Sequence, residues 1–64
     1  MKYVGFICVD AKEIIRSDWW DLAGVPAYNR KGNRDDHGYM WRNADGSYEW
    51  ALKDTFERQF KKCL

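Results

Sequence analysis

Residues 39–52 constrain this chain more than any other stretch. They read Tyr39-Met40-Trp41-Arg42, then Asn43-Ala44-Asp45-Gly46, then Ser47-Tyr48-Glu49-Trp50-Ala51-Leu52. Two alternating runs around a polar tetrapeptide predict a β-hairpin. Asn43-Ala44-Asp45-Gly46 suits a type I turn, with Gly46 in the left-handed conformation that glycine adopts at little cost. Alternation places Tyr39 and Trp41 on one face of their strand, and Tyr48, Trp50 and Leu52 on one face of theirs. With Trp41 beside Tyr48 or Trp50, four aromatic rings share a face. That face is the expected nucleus of the core.

A chain of 64 residues makes one domain, residues 1–64. A chain so short buries only about 60% of its unfolded surface. Four Trp, four Tyr and three Phe are expected to compensate, because large rings fill a small core efficiently. Rings left over are available to a binding surface. Eleven basic residues against ten acidic ones exclude a global field that would attract DNA or a membrane. No apolar run approaches the ~20 residues of a membrane span. The apolar N-terminus is short and meets no small-residue cleavage site before Asp10 and Lys12, so it reads as a strand and the protein as cytoplasmic. Cys8 is expected to be buried in that strand. A terminal helix bringing Cys63 to Cys8 is the lesser alternative. Two cysteines and one histidine are too few for a zinc knuckle, and no cofactor is expected.

In chain order, residues 2–9 predict a central strand, with Gly5 marking a close approach by a neighbour. Asp10-Ala11-Lys12-Glu13 has capping-box spacing, and apolar residues at helical spacing predict a helix over 11–23. Gly24 is its C-cap and Pro26 ends it. Ser17-Asp18 could restart it as two short helices. Residues 25–28 suggest a short strand, and 29–37 a polar loop. Asp54 and Glu57 repeat the capping spacing. Phe56, Phe60, Cys63 and Leu64 then form a stripe on a helix from 55 to about 63. The order is β-α-β-β-β-α, an α+β fold in which the helices cover one face of a small antiparallel or mixed sheet. Met40, Arg42, Glu49 and Ala51 form the expected outer face. Unpaired sheet edges suggest a homodimer.

The segment from residue 38 to 60 resembles the C-terminal end of small phage and prophage accessory proteins. The matching parts are His37-Gly38-Tyr39-Met40, Asp45-Gly46, Tyr48-Glu49-Trp50 and Phe56-Glu57-Arg58-Gln59-Phe60. The chain departs from that pattern at Trp41-Arg42, where an aliphatic strand is usual. The resemblance covers about a third of the chain. It implies a phage accessory protein and no particular activity. Proteins of this kind often bind and disable a host protein, including antiviral defence components such as nucleases and CRISPR effectors.

Asp35-Asp36-His37 is the one cluster of acid–base or metal-ligand type. It lacks further ligands, a nucleophile and an orienting partner, so a solvated loop paired with Arg30 or Arg34 is expected and an enzyme is not. Arg30, Lys31 and Arg34 beside Tyr28 form a small basic and aromatic patch, which keeps nucleic-acid or nucleotide binding as the alternative. Trp19 continues the stripe of Ile15 and Leu22 and is expected in the core. Trp20 turns roughly 100° away. It is the expected exposed anchor for a host protein, with Arg16 and Asp21 as neighbours and Tyr28, Arg30, Lys31 and Arg34 as the rim.

Overall fold

The computed structural model describes residues 1–63. Leu64, assigned above to the apolar stripe, lies outside the described residues. The fold is α+β, with strands β1 (Lys2–Val4), β2 (Cys8–Asp10), β3 (Lys12–Ile15), β4 (His37–Arg42), β5 (Tyr48–Leu52) and β6 (Lys61–Lys62). Helices α1 (Arg16–Ala23) and α2 (Lys53–Gln59) follow β3 and β5 directly, and a single 3-10 turn covers Ala27–Asn29. The strands form two antiparallel three-stranded sheets, a terminal one ordered β2-β1-β6 and a central one ordered β3-β4-β5.

The hairpin at 39–52 forms as expected. Gly46 has φ 92° and donates its N–H to the Asn43 carbonyl at 3.0 Å. The Asp45 carboxylate accepts from the Ser47 hydroxyl and N–H, which lowers its pKa. The shared aromatic face does not form. The register sets Tyr39 opposite Ala51, Met40 opposite Trp50 and Trp41 opposite Glu49. Directly opposed residues point to the same side. Tyr39 and Trp41 therefore occupy one face, while Tyr48 and Trp50 occupy the other with Met40. Met40 is buried, not on an outer surface.

Both faces of the central sheet are covered, so the helices do not share a face as expected. On one side α2 places Phe56, the most buried side chain at 0% exposure, against Tyr39 with ring centroids 4.4 Å apart. Tyr3 of β1 closes on the same rings, 5.0 Å from Phe56 and 5.4 Å from Tyr39. Val9 and Ala11 complete this core, with Trp41 and Phe60 packed around it. On the other side Trp19 of α1 stacks on Trp50 at 5.7 Å, nearly parallel.

The expected helix over 11–23 splits. Lys12–Ile15 is an outer strand paired with β4, and the helix starts only at Arg16. Ile14 and Ile15 are β-branched and fit a pleated surface better than a helix. The Asp10–Glu13 capping box does not form, because Asp10 accepts instead from the N-terminal ammonium at 2.7 Å. That contact holds the Asp10 carboxyl below its usual pKa. Loop carbonyls cap α1: Arg16 N–H donates to Asp36 and Ser17 N–H to Arg34, both at 2.9 Å. Gly24 ends the helix with φ 67°, as expected.

Residues 2–9 form two strands joined by a bend, not one central strand. Gly5 does mark a close approach: a Cβ there would lie 2.6 Å from the Gln59 carbonyl oxygen. Cys8 faces outward and is exposed, contrary to expectation, and both cysteines are free. Residues 25–28 form no strand: a 3-10 turn over Ala27–Asn29 follows Pro26, whose missing N–H cannot serve a strand ladder. The last helix ends at Gln59. The chain then runs into β6, whose pairing with β1 draws Lys61 and Lys62 out of the helix. No side chain of the Asp54–Glu57 box caps α2, whose N-cap is Leu52.

Candidate protein-binding surface

Helix α1 and the loop after it gather the residues expected to bind a partner, but in different roles. Trp20 is only 7% exposed. It is not the exposed anchor, because a helix begun at Arg16 does not continue a stripe started at Ala11. Trp19, expected in the core, is half-buried against Trp50, and Leu22 is exposed. The Arg30 guanidinium lies over the Trp20 ring at 5.8 Å. Its Nε donates to the Val25 carbonyl at 2.8 Å, and its Nη2 lies 3.2 Å from Asp21.

Arg16 is the hub of the loop. Its Nη1 donates to the Lys31 carbonyl at 2.7 Å, and its Nη2 lies 3.3 Å from Asp36. The guanidinium carbon sits 4.7 Å from the Trp50 ring centroid. Gly32 takes φ 95°, and a Cβ there would collide with Arg16 Nη1. Asp36 therefore pairs with Arg16, not with Arg30 or Arg34 as expected. Of the proposed basic patch, only Lys31 and Arg34 remain exposed without an ion pair among the described residues, and Tyr28 is exposed as well.

A groove of about 560 Å³ runs between β3 and α1, with Glu13, Ile14, Ile15, Asp18, Leu22 and His37 among its walls. Glu13 is held at 3.1 Å by Lys53, whose pKa is raised by that hydrogen bond. The lining offers no hydroxyl or thiol nucleophile beside His37. Among the described residues no group of three metal-ligating side chains assembles. No described helix is long and apolar enough to cross a membrane.

The most exposed apolar feature is the bend between β1 and β2. Gly5 N–H donates to the Ile7 carbonyl at 3.0 Å, which throws Phe6 outward. Phe6 is 102% exposed, as open as in an extended chain, and Val4 and Ile7 are exposed beside it. The register opposes Val4 to Cys8 on one side and to Lys61 on the other, so all three share the outward face with Lys2. The sequence reading missed this feature by taking 2–9 as one strand. A glycine breaking an apolar run was the available signal.

No protein-family model, curated protein or solved structure matches this chain. The phage-type resemblance rests on the motifs of residues 37–60 alone.

Proposed function

We propose that this chain is a non-catalytic binding module that disables a host protein by occupying its surface, as a small phage-type inhibitor would. The exposed Phe6–Ile7 bend carries the reading. A small domain short of apolar surface for its own core has reason to bury a Phe and an Ile, and an aromatic tip fits a partner's pocket as an interface anchor.

The test is a pull-down from host lysate at two salt concentrations, with the wild type and a Phe6→Ser, Ile7→Ser variant. The expected result is a stoichiometric protein partner kept at high salt by the wild type and lost by the variant, whose melting temperature is unchanged. Apolar contacts weaken little with salt, whereas phosphate contacts weaken steeply. Salt-sensitive recovery of nucleic acid that depends on Lys31 and Arg34 would overturn the reading in favour of nucleic-acid binding.

A further inference from the structure

Strand β5 pairs with β4 and, among the described residues, has no neighbour on its other side. The phase of the ladder fixes which backbone groups face out. Asn43 N–H donates to the Ser47 carbonyl at 2.7 Å, so Ser47, Glu49 and Ala51 direct their backbone groups toward β4. Tyr48, Trp50 and Leu52 therefore direct theirs off the edge of the sheet. Unpaired backbone groups in a row are a template for another strand.

The other free edges are poorer templates. β2 and β6 have three and two residues, and β3 begins with Lys12 and Glu13. β5 has five residues, no Lys or Pro, and one charge, Glu49, whose carboxylate accepts from Asn43 Nδ2 at 3.2 Å. Its Tyr48 and Leu52 expose apolar surface, Leu52 to 42%.

We propose that the chain pairs with a second copy of itself through β5. The two strands run antiparallel about Trp50 and join two three-stranded central sheets into one of six strands. The register follows from charge. A two-fold axis at Trp50 sets Tyr48 opposite Leu52 of the second copy and Glu49 opposite Ala51. Sliding the axis to Glu49 would oppose two carboxylates, which is destabilising. Sliding it to Ala51 would require Lys53 in the ladder, where it already belongs to α2. The two Trp50 residues exchange backbone hydrogen bonds. Each Leu52 N–H reaches the Tyr48 carbonyl of the other copy. The pairing does not depend on the Phe6–Ile7 bend.

Two double variants test both the edge and its register by sedimentation equilibrium. Tyr48→Lys with Leu52→Lys opposes like charges and should weaken the dimer about tenfold or more. Tyr48→Glu with Leu52→Lys opposes unlike charges and should retain it, which also shows that Leu52→Lys is tolerated by the fold. In the wild type, amide exchange at Tyr48, Trp50 and Leu52 should slow as concentration rises. A wild type that stays monomeric at millimolar concentration would overturn the proposal. So would a dimer equally strong in both double variants, or concentration-independent exchange at these three amides.

Discussion

The indole Nε1 of Trp50 donates to the backbone carbonyl of Ile14 at 3.0 Å, reaching from one outer strand of the central sheet across β4 to the other. The ring can lie flat there because β4 has Gly38 underneath it. A Cβ at Gly38 would collide with Cζ2 of Trp50 and with the Ala51 carbonyl oxygen. Gly38→Ala should therefore lift the indole off the sheet and destabilise the fold by about 1–3 kcal/mol, the usual cost of overpacking. Urea denaturation measures the loss. An unchanged midpoint would show that Trp50 has another place to go.

Arg16 ties α1 to the loop through two contacts, the Lys31 carbonyl and Asp36, and to β5 through the Trp50 ring. Removing a charged hydrogen-bond donor costs about 1.5–3 kcal/mol. Arg16→Ala should lose stability in that range and speed amide exchange at Arg16 and Ser17, whose N–H groups rest on loop carbonyls. Arg16→Lys should rescue little, because an ammonium cannot fork between two acceptors and stack on a ring.

The adjacent tryptophans should respond oppositely to substitution. Trp20 is buried, and Trp20→Ala should cost about 3–5 kcal/mol. Trp19 is half-buried, and its indole N–H is enclosed without a partner. Trp19→Phe keeps a ring on Trp50 and deletes that unsatisfied donor, so the change should stay within about 1 kcal/mol. Thermal unfolding of the two variants decides between them.

Tyr39 donates its hydroxyl to Glu57 at 2.7 Å, and that bond, with burial, raises its pKa. A raised pKa means that the native state favours the neutral phenol over the phenolate. The stabilisation is present below the unfolded value of about 10 and is lost as pH climbs beyond it. Stability measured between pH 8 and pH 11, roughly bracketing that value, should fall at the alkaline end. Tyr39→Phe should flatten part of that decline. Identical alkaline slopes for the two proteins would assign the fall to other groups.

Cys8 and Cys63 flank β1 from opposite sides, in β2 and just after β6. Two strand spacings of about 4.8 Å separate those lines, beyond the reach of a disulfide. Both thiols should react with an aromatic disulfide reagent in the native protein, and air oxidation should leave no intramolecular bridge. A mass deficit of two hydrogens in the monomer would contradict this.

The features legible in the sequence were those fixed within a few residues. The Asn43–Gly46 turn, the Gly24 cap and the Phe56–Phe60 spacing depend on local geometry, and all three appear. Illegible features were set by distant partners. Nothing near Arg16 announces that carbonyls of Arg34 and Asp36 will start its helix. The hairpin register was out of reach for a related reason. Two-sided aromatic placement pays off only when α1 covers Trp50 and α2 covers Tyr39. The burial of the two tryptophans was out of reach as well, since a stripe counted from Ala11 misassigns both Trp19 and Trp20. Lys31 and Arg34, in a polar loop, are exposed.

Strand β1 lies between β2 and β6, so a segment made early is completed by one made much later. During synthesis the β4–β5 hairpin can close as soon as its own residues emerge. The terminal sheet cannot be completed until residue 62 has left the ribosome, because Tyr3 pairs with Lys62. Closing so long a loop is slow compared with forming a hairpin. Final locking of Tyr3 onto Phe56 should therefore come after hairpin closure and set the folding rate. Until then the β6-facing edge of β1 is unpaired, which leaves the partly folded chain open to misassociation.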